Sequence, residues 1–245
     1  MELDSKRSGR WELAQEYQQK NQLNKKTRLV DIDKKTIFLQ HYNNAKELFK
    51  FITQINPITE TTKILEVGSG PHGVSFFYPK GKRIALDPLA CFYKKEFSFI
   101  QDGTNALIVQ GIGESLPFQN NTFDCVISDN VVDHTANAHK VLSEIKRVLK
   151  DDGLFLLTVN LHHWFKKICC DIFNFLFSIK IVPDFPNFRT HTYFFTPKTI
   201  NQLIKQSGFK IINTNMPGHD VSNKDITILK PFNHTSGIFL CTKLP

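Results

Sequence analysis

The sequence predicts an α/β protein built on an open, mostly parallel central sheet, closed towards the C-terminus by an antiparallel strand pair. Three observations predict it. Five short runs rich in Ile, Leu and Val recur between residues 63 and 159, each followed by loop-forming residues. Between the last two lies a helical stripe of Val141, Leu142, Ile145, Val148 and Leu149. Beyond residue 195, one more helix and two more apolar runs complete the alternation.

Taken in order, residues 1–35 are polar with alternating charge and read as a mobile arm or surface helix. Ile37, Phe38, Ala45, Leu48, Phe49 and Ile52 then recur at helical spacing, so an amphipathic helix is expected from about 36 to 55, closed by Asn56-Pro57. This divides the chain into an N-terminal arm and helices over 1–60 and an α/β domain over 61–245. The strand runs are 63–67, 83–87, 106–110, 123–128 and 154–159. They are continuous, not alternating, as suits strands covered on both faces. The helix at 138–150 is expected to stop at Asp151-Asp152-Gly153. Residues 161–195 are aromatic and interrupted by Pro183 and Pro186; they read as an insert or lid on the acceptor side, or as a shield for the sheet edge. Thr196-Pro197 opens the last helix, which ends at Ser207-Gly208, and the runs 209–212 and 237–240 form the antiparallel pair.

At 245 residues, 41% hydrophobic and 22% charged, the composition excludes a disordered or fibrous chain. The net charge of +8 is unevenly placed. Basic residues outnumber acidic ones 12 to 8 over residues 1–63 and 10 to 4 over 161–245, whereas the middle carries 9 basic and 11 acidic. No dense Lys/Arg run appears, so a nucleic-acid partner is not favoured over a solvated basic surface. The five cysteines are odd in number and lack zinc-ligand spacing, which points to reduced thiols in a cytoplasmic protein and to no metal site. The most apolar window, 168–182, is too short and too polar for a membrane span.

The sharpest local signal is Glu66-Val67-Gly68-Ser69-Gly70-Pro71-His72-Gly73, directly after the first strand. Glycines there allow positive φ and close approach of a ligand to the backbone. Asp87 ends the next strand, where a carboxylate accepts both hydroxyls of a ribose. Gly68 to Gly73 also satisfies the dinucleotide pattern G-x-G-x-x-G, so a nicotinamide enzyme has to be weighed. Pro71 removes a phosphate donor, however, and Pro79 and Gly81 leave room for at most two helical turns after the loop. Glu66 would repel a pyrophosphate and welcome a cationic amine.

These residues, with Gly113-Glu114-Ser115-Leu116-Pro117-Phe118, Phe123 to Ser128 and Glu144 to Gly153, resemble the class I S-adenosylmethionine-dependent methyltransferases, in the branch that modifies small molecules. The resemblance runs from about Lys63 to Val159. It implies a Rossmann-like class I methyltransferase fold and S-adenosylmethionine as cofactor. It also implies roles: Gly68, Ser69 and Gly70 beneath the methionyl part with Glu66 near its ammonium, through water or directly, Asp87 on the ribose hydroxyls, and Leu86 and Pro88 flanking the adenine. Gly113-Glu114 matches the segment that reads the adenine edge, although Ile112 stands where relatives place an Asp. Ser128, Asp129 and Asn130 would line the methionyl pocket.

The donor methyl is already activated, so the chain must supply alignment and, for a hydroxyl acceptor, a place for a proton. His134, after the fourth strand, and His191, before the last helix, are the candidate catalytic bases. The expected acceptor is a small molecule or glycan, methylated on oxygen. Lys166, Lys167, Lys180 and Arg189 suit an anionic acceptor, and the aromatic insert suits a lipid-linked one. RNA methylation and a nicotinamide-dependent oxidoreductase are the alternatives.

Overall fold

The computed structural model describes residues 2–29, 34–97, 104–178, 192–216 and 234–244. Two N-terminal helices, α1 (Glu2–Leu29) and α2 (Lys34–Thr53), precede the sheet. The chain then runs through β1 (Lys63–Val67), α3 (Val74–Phe77), β2 (Lys82–Asp87), α4 (Ala90–Glu96), β3 (Leu107–Gln110) and β4 (Phe123–Asp129). It continues with α5 (Ala138–Val148), β5 (Leu149–His162), α6 (Trp164–Ser178), α7 (Pro197–Gln206), β6 (Phe209–Asn215) and β7 (His234–Lys243).

The seven strands stand in the order β3-β2-β1-β4-β5-β7-β6. The first five are parallel: Leu65 of β1 faces Ile84 of β2 on one side and Val126 of β4 on the other. β7 pairs antiparallel with both β5 and β6, as the C-terminal runs lead one to expect. The apolar runs divide residue by residue between two cores. Leu65, Val126, Phe155 and Leu157 pack with Val141, Leu142 and Ile145 of α5 and Ile200 and Ile204 of α7. Their neighbours Ile64, Cys125, Ile127, Leu154 and Leu156 pack on the other face with Phe49 and Ile52 of α2, Phe76 and Phe77 of α3, and Tyr93 of α4. Period-two geometry explains why both positions of each pair had to be apolar.

Of the two readings of the N-terminal residues the helix is the one observed: α1 is a 28-residue helix that buries Ala14 and Gln22. One expectation needs correction. The helix begun at Ala138 ends at Val148, not at Gly153, because Leu149 already takes extended dihedrals and starts β5. Gly153 serves inside that strand, where a Cβ would lie 2.7 Å from the Leu149 side chain. Of the insert, residues 161–178 and 192–195 are described; its helix α6 exposes Trp164, Ile168, Ile172 and Phe175 and does not line the cavity described below, and residues 179–191 lie outside the described residues. None of the described helices is long and apolar enough to cross a membrane.

Candidate active site

β1 lies between β2 and β4, where successive crossovers leave in opposite directions. In an open parallel sheet such a switch point leaves a crevice at the C-terminal strand ends. A cavity of about 490 Å³ occupies it, within the size range of small-molecule and cofactor sites.

Its floor is the turn after β1. Gly68 and Ser69 both donate to the Leu86 carbonyl of β2, at 2.7 and 3.1 Å. This draws the turn across the end of the sheet. Gly68 adopts φ +78° and Gly70 φ +57°. A Cβ on Gly68 would sit 2.4 Å from two Val131 carbons, whereas one on Gly70 would meet nothing within 4 Å. The first glycine is therefore required by packing, and the second leaves bare backbone facing open cavity.

Asp87 closes one wall. Its Oδ2 accepts from the Gly70 amide and its Oδ1 from the Leu89 amide, each at 2.8 Å. Burial nevertheless pushes its carboxyl up to about 6, because the two backbone donors only partly offset the lost hydration. Pro88 follows it along the cavity wall.

Glu66 stands elsewhere. Its carboxylate is buried and accepts from the Val74 amide, the Ser75 amide and the Ser75 hydroxyl, so it caps the start of α3. Burial lifts it to about 7, with nearby Asp129 adding repulsion. Arg83 answers at the far end of the same short helix by donating to the Ser75 and Tyr78 carbonyls. Glu66 does not line the cavity, so its carboxylate is not in direct contact with that space. Fully buried Ser128 does not line it either.

The opposite wall comes from the loops after β3 and β4. Gly113 and Glu114 line it, and Glu114 also accepts from the Ala136 and Asn137 amides at 2.9 and 3.1 Å. That carboxylate orders the entry to α5, where Asn137 caps the Lys140 amide. Asn130 lines the cavity at φ +57°, a left-handed conformation that Asn tolerates better than most residues. His134 joins the wall in a single 3-10 turn (Val132–His134), its Nε2 3.8 Å from Oδ1 of buried Asp133. His191 lies outside the described residues.

Behind this wall Arg147 of α5 donates to the Leu116 and Phe118 carbonyls and to Glu144, while Glu144 accepts from the Leu116 amide. The pair clamps the segment that follows Gly113 and Glu114. Arg147→Ala is expected to lower the melting temperature by about 3–8 °C, for a loss of about 1–2 kcal/mol of hydrogen bonding in a domain of this size. It should also weaken ligand binding at this wall several-fold, as read by thermal denaturation and titration calorimetry. An unchanged melting temperature would show that the clamp contributes nothing.

The roof is the element that sequence reasoning missed. Trp11, Ala14, Gln18 and Gln22 of α1 line the same cavity. Their three- and four-residue spacing is a helical stripe, but three of the residues that extend it (Gln15, Gln18 and Gln22) are carboxamides, which no hydrophobic pattern reveals.

The strand order, the glycine turn and the acid ending β2 define a Rossmann-like ligand-binding fold. Residues 65–157 match the family described as a methyltransferase domain. Over 123 residues the chain is 32% identical to an uncharacterized protein of Methanocaldococcus jannaschii, spanning 45% of this chain and 49% of that one. It is 33% identical over 99 residues to the uncharacterized methyltransferase YcgJ of Bacillus subtilis, spanning 39% of each. The crystal structure of YcgJ aligns over 82% of this chain and 99% of its own, with a TM-score of 0.54 and 17% identity. A third relative, the sarcosine/dimethylglycine N-methyltransferase of Aphanothece halophytica, is 30% identical over 109 residues, or 40% of this chain and 37% of that one. The chain thus spans half or less of the length of these curated relatives.

Proposed function

We propose that the chain is an S-adenosylmethionine-dependent methyltransferase acting on a small molecule or glycan, with oxygen as the methylated atom. The observation that carries this reading is the bare Gly70 backbone beside the Asp87 carboxylate, at the switch point of a methyltransferase-type sheet. When bound, the cofactor supplies a methyl group activated by a sulfonium. The residues present suit such a ligand. Gly68 and Gly70 leave room for close approach, Asp87 offers lone pairs to a ribose diol, and Pro88, Ile112 and Gly113 give a mostly apolar wall to a purine.

The work of the chain is then alignment and proton removal. His134 lines the cavity beside Asn130 at the end of β4, and its imidazole takes the proton that an acceptor hydroxyl loses. Buried Asp133 lies 3.8 Å from that ring. His162, by contrast, is buried against Phe194 and does not line the cavity. An anionic or lipid-linked acceptor is supported by α6. The helix begins four residues beyond Asn160 of the cavity wall and carries both an exposed apolar stripe and Lys166 and Lys167.

The test is titration of the purified protein with S-adenosylhomocysteine and, separately, NADH, followed by a radiolabelled-methyl screen of hydroxylated acceptors, including sugar acids and phosphorylated sugars. Binding of S-adenosylhomocysteine alone is expected, and binding of NADH alone would overturn the reading. With an acceptor in hand, His134→Gln should lower turnover about 100-fold while S-adenosylhomocysteine binds as before. Undiminished turnover would remove His134 from the chemistry.

A further inference from the structure

A carboxamide row on α1 faces the cavity, and one acceptor atom in it lacks a partner among the described residues. Gln22 is only 7% exposed, lines the cavity, and has no hydrogen-bond partner there for its Oε1. Folded chains rarely leave a buried acceptor so placed unless a ligand or water completes it.

Three contacts fix where Gln22 stands. One turn before it, Gln18 hydrogen-bonds the Tyr93 phenol, whose ionisation is opposed first by burial and then by the Asp87 charge. Nearly one turn after it, Lys25 lies close enough to the His72 ring to help depress its basicity, to about 3, after burial and the stacked His41 ring. Beside Lys25, Lys26 pairs with Glu96 of α4 at 3.1 Å. Along α1 the row therefore runs from the Asp87 end of the cavity towards the end formed by the turn after Gly70. A ligand with its ribose on Asp87 and its amino-acid tail over the glycines lies in that same direction.

The tail brings an ammonium that needs an acceptor. Glu66, the acid one would choose for it, is occupied by three donors of its own chain. We propose that Gln22 takes its place: Oε1 of Gln22 accepts from the ammonium of the cofactor's amino-acid end, and Lys25 faces its carboxylate at the cavity rim. This rests on the reading that the cavity holds an S-adenosylmethionine-type ligand. α1 is thereby a wall of the cofactor site, selective for the part of the ligand that distinguishes it from a plain nucleoside.

Two ligands separate the contributions. S-Adenosylhomocysteine carries the amino-acid end, and 5′-methylthioadenosine shares the adenosine and thioether without it. Gln22→Leu is expected to weaken S-adenosylhomocysteine about 10- to 100-fold and to leave methylthioadenosine within about twofold. Lys25→Met should weaken the first ligand several-fold, more at low salt. Gln22→Glu, which keeps an acceptor, should retain most of the affinity. The Leu variant removes an unpaired buried acceptor, so its ligand-free melting temperature should equal or exceed that of the wild type, which shows that it folds. Equal losses for both ligands, or no loss for either, would overturn the assignment of Gln22 alone. Wild-type protein that binds neither ligand would overturn the reading of the cavity, and this inference with it.

Discussion

Gly68→Ala lowers the melting temperature by about 5–15 °C, whereas Gly70→Ala leaves the fold nearly intact and abolishes S-adenosylhomocysteine binding. At Gly68 two penalties coincide. A side chain at φ +78° costs about 1–2 kcal/mol, and its Cβ would stand 2.4 Å from both Val131 methyl carbons. Overpacking of that kind adds about 1–3 kcal/mol, and each kcal/mol moves the melting point of such a domain by about 2–4 °C. Val131→Ala in the Gly68→Ala background should recover part of the loss, because the two side chains compete for one volume. At Gly70 the added methyl meets nothing of the chain and enters the cavity, so its cost of about 1 kcal/mol is conformational and the ligand bears the remainder. Thermal denaturation and calorimetric titration of the three variants check this. Equal destabilisation by both glycine substitutions would show that Gly70 is a turn residue only.

Asp87→Asn weakens S-adenosylhomocysteine about 100-fold or more, and the interaction carries a pH signature. A carboxylate receiving two hydroxyls makes two charge-assisted hydrogen bonds, each worth about 1.5–3 kcal/mol. Burial holds this carboxyl at about 6 in the free protein, and a bound diol favours the charged form, so binding lowers it. Affinity therefore rises with pH through about 6 and then levels. Calorimetry at pH 6 in buffers of different ionisation heat should show release of about half a proton, absent in Asp87→Asn. Flat affinity between pH 5 and 8 would contradict the role. The same shift has the opposite sign for stability. Between 3.8 and about 6 the folded chain binds more protons at Asp87 than the unfolded chain, so its contribution to stability falls as pH rises through that window. Glu66, lifted from 4.5 to about 7, extends the decline towards neutrality.

The sheet was legible because each strand had to satisfy two cores. Ile64-Leu65 and Leu154-Phe155-Leu156-Leu157 admit no polar position, and five such runs in series leave little besides a covered parallel sheet. Gly68, Gly70 and Asp87 were legible because their chemistry is local: a turn, a bare backbone, and an acid at a strand end. The surroundings of Glu66 were not legible. Sequence shows the charge on β1 but not that Val74 and Ser75, eight and nine positions on, would turn their donors back onto it. Glu114 holds the amides before α5 as well as lining the wall, which depends on a contact 22 residues away. The roof escaped because a carboxamide stripe carries no hydrophobic period. The helix stop at Gly153 escaped because Leu149 was wanted by the sheet, and tertiary pairing with Phe123 outweighed the local signal.

The placement of β7 bears on how the chain matures as it leaves the ribosome. β6 is made before β7, yet it does not pair with β5; β7 comes last among the described strands and lies between them, pairing along eight positions of β5. Until residues 234–243 emerge, the apolar flank of the longest strand, from Phe155 to Leu161, has an open row of peptide groups with no neighbour to take them. A nascent chain stalled at that stage offers a template to any other extended segment nearby. β7 is thus the seal on that open edge, and a chain cut short before residue 234 would betray itself in the insoluble fraction well before any effect on the cavity could be assayed.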